Sequence, residues 1–287
     1  FAQTTVQNDG VAVTDTIMKK IRDQECGRLA EAGDVYLDHT GSALYPDSLV
    51  RAHAEMLRGS VLGNPHSRNP TSRRSTELVE AARRRILEYF RADPDEYEAI
   101  FTLNASGALK LVGEAYPFET GSSFRLTADN HNSVNGIREF ALRRGGEATY
   151  LRLDPDLRIA DLEDGLAGAN RSVANLFAFP AQSNFSGVKH PLDWIELARE
   201  LGYDVLLDAA AFAPTSRLDL SVVKPDFATI SFYKMFGFPT GVGALLARRD
   251  ALARLRRPWF GGGTVRFVSA QNQVHIPYRH SAAFEDG

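Results

Sequence analysis

A single cysteine, Cys26, in 287 residues leaves the chain with no disulfide framework and no cysteine-based metal cluster. The seven histidines include no helical pair with an intervening glutamate, so metal catalysis is weakly supported and no metal ligand is assigned. No stretch is long and apolar enough to span a bilayer. Neither sign of charge is in large excess. The 33 basic and 36 acidic residues give a net charge of −3, which argues against nucleic-acid or membrane-surface binding. The glycines at 261–263 open no helix and lack Walker or Rossmann spacing, so they read as a flexible turn. Internal repeats and low-complexity tracts are absent. The first nine residues lack a basic segment followed by an apolar one, so no signal peptide is expected, and the protein is expected to be soluble and cytoplasmic. Both ends of the chain read as trimmed.

What is present is a core-forming chain. A hydrophobic fraction of 44% in this length suffices for one large core, or for a large and a small domain. Residues 15–32 read as a helix, 35–37 as a brief strand, 38–46 as a turn-rich loop and 47–58 as a helix. A long helix capped by Thr71 or Ser72 runs to about Phe90. The six arginines between Arg68 and Arg85 read as its solvated face. Strands at 99–102, 123–127, 148–153, 173–179, 204–207, 227–232 and 243–247 then alternate with helices at 106–116, 133–144, 162–166 and 191–201. That alternation predicts an α/β fold with a mainly parallel sheet sandwiched by helices, and ligands in such sheets collect at the C-terminal strand ends.

Polar residues occupy those ends. Lys234 follows the apolar run 227–232, and Asp208 ends the apolar strand 204–207. A lysine beside a buried strand suits an aldehyde cofactor held as a Schiff base. An aspartate on a neighbouring strand suits a ring nitrogen kept protonated, and the pair predicts pyridoxal 5′-phosphate. Their plainer readings are a snorkelling surface lysine and a helix cap. The turn 103–110 begins a helix whose free amides, with the Ser106 hydroxyl, suit a phosphate, or it is an ordinary serine-capped turn. Ser231 is a further phosphate donor. His131 can stack on a flat ring or shuttle a proton, or its loop is only an N-cap. Asn184 can donate to a ring oxygen, or simply make a turn. Each plain reading stands singly. Five polar groups at successive strand ends are harder to dismiss.

The stretches 36–39 (Tyr-Leu-Asp-His), 63–67 (Gly-Asn-Pro-His-Ser), 108–112, 182–187 (Gln-Ser-Asn-Phe-Ser-Gly), 207–212, 231–241 and 261–264 together resemble the class V branch of the fold type I pyridoxal-phosphate enzymes. This is the branch of the cysteine desulfurases, and the likeness extends to the aminotransferase-like domain of the molybdenum cofactor sulfurases. The resemblance runs from about Val35 onward and implies a seven-stranded large domain. It divides the chain into a lead-in and small-domain segment at 1–60, the cofactor domain at 61–265 and the start of a C-terminal segment at 266–287. It implies that Lys234 carries the cofactor and moves the substrate Cα proton. His131 would stack on the ring, Asp208 bind its nitrogen and Asn184 contact its 3-oxygen. Ala105, Ser106 and Ser231 would hold the phosphate. Gly263 and Thr264 would reach a neighbouring subunit's phosphate, giving a homodimer with shared active sites.

Two positions depart from the desulfurase pattern and are compatible with the sulfurase branch: Tyr233 in place of histidine, and Ala211 in place of glutamine. The small C-terminal domain, with its carboxylate-binding arginine and sulfur-accepting cysteine, is missing after Gly287, and Cys26 is not expected to replace that cysteine. Either further chain supplies these groups or the reaction is not desulfuration. The leading expectation is sulfur mobilisation from L-cysteine to an acceptor. Transamination, β-elimination or epimerisation on the same cofactor is the second, and a cofactor-free scaffold the third.

Overall fold

The computed structural model describes residues 9–65 and 67–286. Its N-terminal part contains helices α1 (Asp9–Glu25), α2 (Gly27–Ala32) and α3 (Asp47–Gly59). The one helix expected over 15–32 is two, because Cys26 leaves helical geometry at φ −134° and precedes a new helix. The strand expected at 35–37 does not form. Val35 and Leu37 are 80% and 84% exposed, and a three-residue run with no neighbouring strand has no ladder to join. His66, within the motif at 63–67, lies outside the described residues.

Helix α4 (Pro70–Tyr89) starts two residues earlier than a Thr71 cap would place it, and three earlier than a Ser72 cap. Asn69 is its cap, accepting the Ser72 amide at 3.0 Å, and Pro70 fills the first helical position, where a missing N–H costs nothing. Its arginine face is only partly solvated. Arg68, Arg73, Arg74, Arg84 and Arg85 are exposed. Arg83 instead turns inward, with its side chain 13% exposed, and makes a two-pronged ion pair with Glu285 at 2.6 and 2.9 Å.

The sheet contains β1 (Tyr97–Thr102), β2 (Ser123–Thr127), β3 (Glu147–Leu151), β4 (Leu176–Pro180), β5 (Asp204–Asp208), β6 (Phe227–Ser231) and β7 (Gly243–Arg248), ordered β1-β7-β6-β5-β4-β2-β3. Only β7 runs against its neighbours, so the other strands all deliver their C-terminal ends to one edge. Period-two alternation sorts the core into two layers. Phe177, Phe179, Val205, Leu207, Ala228 and Ile230 face one way, while Phe124, Leu126, Leu176, Leu206, Phe227 and Leu245 face the other. Helix α5 (Ala105–Ala115) covers the second layer through Ala108, Leu109, Leu111 and Val112. Helices α8 (Leu162–Leu166) and α9 (Trp194–Glu200) cover the first through Leu162, Leu166, Ile195 and Ala198. The helix expected over 133–144 is two short ones, α6 (Asn132–Asn135) and α7 (Arg138–Arg143), with Gly136 between them. Helices α10 (Phe232–Phe236) and α11 (Arg249–Leu252) flank β7, and a separate antiparallel pair, β8 (Val265–Ser269) and β9 (Val274–Pro277), follows. Among the described residues no helix is long and apolar enough to cross a membrane.

One buried acid gives this fold a pH signature. Asp226, only 4% exposed, precedes β6 and accepts the Val205 amide at 2.8 Å. Burial and then the charge of Asp204 push it up to about 6, against the pull of Val205, Arg199 and Arg248. A carboxyl raised in the folded state favours folding while protonated, and that contribution is lost as pH rises from about 4 through about 6. Asp226→Asn keeps an acceptor for Val205 and removes the buried charge. The variant is expected to gain about 2–3 kcal/mol near pH 8 and nothing near pH 4. Denaturant unfolding at the two pH values checks this, and an equal effect at both would refute it.

Candidate active site

Five strand ends build one cavity. After β1 the chain turns through Asn104, whose side chain caps α5 by accepting the Gly107 amide at 2.8 Å. The opening amides of a helix have no partner within it, so those of Ala105 and Ser106 are left for a ligand. Gly243 on β7 permits this turn, because a Cβ there would lie 2.6 Å from the Asn104 backbone. The Ser106 hydroxyl meets that of Ser133 at 2.7 Å, tying the start of α5 to the start of α6.

His131 follows β2 and is itself the cap of α6, taking the role expected of Asn132 or Ser133. Its Nδ1 accepts the Ser133 amide at 3.1 Å, which places the proton of the neutral ring on Nε2. The loop beneath it is bolted down. Asn130 donates to the carbonyls of Thr127 and Ala178. Asp129 meets His190 at 2.8 Å with both side chains almost wholly buried. Burial pushes the Asp129 carboxyl up, but hydrogen bonds from His190 and Thr127 and the His190 charge outweigh it and hold the group below its ordinary value. Ser183, after β4, donates to the Asp129 carbonyl at 3.2 Å, so the His131 loop and the Asn184 loop are tied to each other.

Asp208 closes β5 and is 7% exposed. Its Oδ1 accepts both the Ala210 amide at 3.0 Å and the Thr229 hydroxyl at 3.2 Å. Its Oδ2 accepts from no described residue. Ser231 closes β6, is 1% exposed, and its Oγ has no hydrogen-bond partner among the described residues. Lys234 stands on α10, half-buried, and its Nζ makes no hydrogen bond or ion pair with a described residue. Ala105, Ser106, His131, Asn184, Asp208, Ser231 and Lys234 all line this single cavity.

The likeness of the chain to known proteins follows the same pattern. The aminotransferase class-V family profile matches residues 35–287. The chain belongs to the aminotransferase class-V family. It is 43% identical over 289 residues to the bovine (Bos taurus) molybdenum cofactor sulfurase, covering 94% of this chain and 32% of that protein. The chain thus spans about a third of the length of the curated relatives it matches. The solved apo cysteine desulfurase of Thermococcus onnurineus NA1 superposes with TM-score 0.79 at 25% identity, over 94% of this chain and 66% of that one. A mutant of C-DES, solved with glycine covalently linked to its pyridoxal-phosphate cofactor, shares the fold with TM-score 0.74 at 20% identity, over 93% and 69% of the two chains.

Within this class-V chain one predicted site residue stands apart. Thr264 lines a different cavity, of about 510 Å³, beside Trp259, Phe260 and His275. It is 1% exposed, and its hydroxyl both accepts the Gly261 amide and donates to the Gly261 carbonyl, each at 2.9 Å. Other lining residues carried no assignment from sequence. Asn104 was readable as a helix cap. Gln182, within the 182–187 stretch, has a buried Oε1 without a partner among the described residues at the cavity wall. Among the described residues no group of histidine, cysteine, aspartate and glutamate has the arrangement of a metal site.

Strand-end residues need a fixed backbone, and α10 is held by a strap from the N-terminal part. The Tyr233 carbonyl accepts the Ala43 amide at 3.1 Å and the Ser42 hydroxyl at 3.3 Å. Gly237, at φ +72°, makes room for the strap, since a Cβ would come within 2.4 Å of the Tyr45 nitrogen. Gly237→Ala combines a left-handed backbone cost of about 1–2 kcal/mol with that overlap. It is expected to destabilise the fold by at least about 2 kcal/mol and to speed proteolysis within 38–46. Unchanged cleavage would show that the strap does not depend on this close approach.

Proposed function

We propose that this chain binds pyridoxal 5′-phosphate in the Lys234 cavity and mobilises sulfur from L-cysteine, in the manner its sulfurase and desulfurase relatives are named for. The observation that carries the reading is the meeting in one cavity of an amine, a carboxylate oxygen and a buried hydroxyl that no described residue satisfies. A buried hydroxyl without a partner is costly, and a phosphate oxygen would remove that cost at Ser231. The donor set fits the cofactor end to end. Ser106, Ser231 and the opening amides of α5 suit its phosphate, Oδ2 of Asp208 its ring nitrogen, Asn184 its ring oxygen and His131 its face.

When bound, this cofactor supplies an electron sink for charge developing at a substrate α-carbon. The chain's own residues do the rest. The amine of Lys234 would hold the cofactor covalently and, once free, would take the substrate α-proton at Nζ. The Asp208 carboxylate would keep a proton on the ring nitrogen through a charge-assisted bond of about 1.5–3 kcal/mol. The Ser133 amide fixes the orientation of the His131 ring.

Neither an arginine nor a thiol lines the cavity among the described residues, and Cys26 sits at the start of α2. The proposed reaction would need its carboxylate-binding arginine and sulfur-accepting thiol from residues other than the described lining of this cavity. We further propose that the segments 1–60, 61–265 and 266–287 act as lead-in, cofactor domain and start of a C-terminal part. The working form would be a cytoplasmic homodimer in which Gly263 and Thr264 serve the partner's phosphate site. Purified full-length protein loaded with cofactor should convert L-cysteine to alanine, with sulfide released under reductant. Bound cofactor with neither product would exclude cysteine as the substrate. Pyridoxal phosphate that fails to bind would exclude the reading altogether.

A further inference from the structure

The opposite edge of the sheet holds a second basin, with a volume of about 850 Å³. Asn175 precedes β4 and Asp204 opens β5, so the basin sits at the N-terminal ends of the parallel strands, a strand's length from the Lys234 cavity. Arg144, Arg171, Arg254 and Arg256 line it, against the two carboxylates of Glu119 and Asp204. Of these four, only Arg254 is ion-paired with a described residue, meeting Asp204 at 2.6 Å. Both oxygens of that carboxylate are thus engaged, since the other accepts the Tyr116 hydroxyl at 2.8 Å.

The remaining three guanidiniums meet no carboxylate among the described residues. Arg144 donates to the carbonyls of Tyr116 and Glu114, and Arg171 to that of Glu200. A carbonyl orients a guanidinium without neutralising it, so the charge and the spare N–H groups remain. Arg256 is anchored through its backbone amide on the Ala115 carbonyl at 2.7 Å, and its side chain makes no hydrogen bond with a described residue. Three like charges around one concavity repel each other unless an anion joins them. Arginine forks match phosphate oxygens two at a time, and the volume lies within the range of small-molecule sites. A nucleic-acid strand is a poorer match. The net charge of the chain is −3, and Glu119 interrupts the basic rim.

We propose that this basin is a binding site for a small polyphosphate, of the size of pyrophosphate or a nucleoside diphosphate, separate from the Lys234 cavity. The proposal stands independently of the cofactor reading. Isothermal titration of the protein with pyrophosphate, and with ADP, tests it. Saturable binding with Kd below about 1 mM is expected, weakening as salt is raised. Arg256→Gln, which gives up no hydrogen bond of the fold, is expected to weaken it about tenfold, and Arg171→Gln similarly. Ser231→Ala, in the other cavity, should leave it unchanged. Absent saturation, or equal affinity in the Arg256→Gln protein, overturns the proposal. Loss of binding in Ser231→Ala also overturns it, since the anion would then sit at the strand ends around Lys234.

Discussion

Lys234→Ala is expected to abolish covalent retention of pyridoxal 5′-phosphate and to lower cysteine turnover by at least about 10³-fold, with the fold intact. The side chain makes no hydrogen bond or ion pair with a described residue, so its removal breaks none of the bonds that hold α10. Those bonds belong to the Tyr233 carbonyl, which Ala43, Ser42 and Gly237 share. The effect should therefore appear as lost chemistry and not as a lower melting temperature. Borohydride reduction followed by peptide mass spectrometry gives the direct readout, with label on the 234 peptide of the unaltered protein and none in the variant. Lys234→Arg should fail equally, because a guanidinium keeps the charge but offers no nucleophilic amine. Label retained elsewhere in Lys234→Ala would show that another amine is the attachment point.

Asp208→Asn is expected to cut turnover by about 10²-fold and to weaken cofactor binding by about tenfold. The physical reason lies in how the carboxylate is already engaged. Oδ1 accepts from Ala210 and Thr229, and an asparagine must keep its one oxygen there to satisfy both donors. Its amide nitrogen then faces the cavity where Oδ2 had been. A charge-assisted acceptor becomes a donor opposed to a protonated ring nitrogen, so the substitution reverses the contact while sparing the fold. Direct titration with the cofactor and steady-state assay measure the two effects. A variant with normal affinity and normal turnover would remove Asp208 from the site.

Much of this arrangement was legible in residue order. Strand ends expected at 102, 127, 179, 207 and 232, from short apolar runs stopped by polar or turn-forming residues, lie within one residue of those at Thr102, Thr127, Pro180, Asp208 and Ser231. The polar groups at these ends needed only the rule that parallel strands share a carboxyl edge. What escaped depended on partners distant in sequence. Val35 and Leu37 have strand-like side chains, but no neighbouring strand offers them a ladder, and local composition cannot report that. Arg83 looks like any other arginine of its helix until Glu285, from the far end of the chain, comes beside it. The Asp129–His190 pair joins two loops from different strands and had no signature in either. The Asn69 cap was overlooked for a different reason: the Asn-Pro pair was local and readable, and the serine and threonine beside it drew the assignment.

The Arg83–Glu285 pair bears on how the molecule avoids its own kind. Strand β1 is an outer strand, and an outer strand offers unpaired amides and carbonyls as a template for another chain to add to. Glu285 accepts the Phe101 amide at 2.7 Å, and Arg83 donates to the Ala99 carbonyl, so two of those free groups are plugged by side chains bonded to each other. The plug is ionic and partly accessible, which makes it weaker in strong salt. Concentrated electrolyte should therefore uncover this rim, and self-association through the β1 side would be the first sign of it.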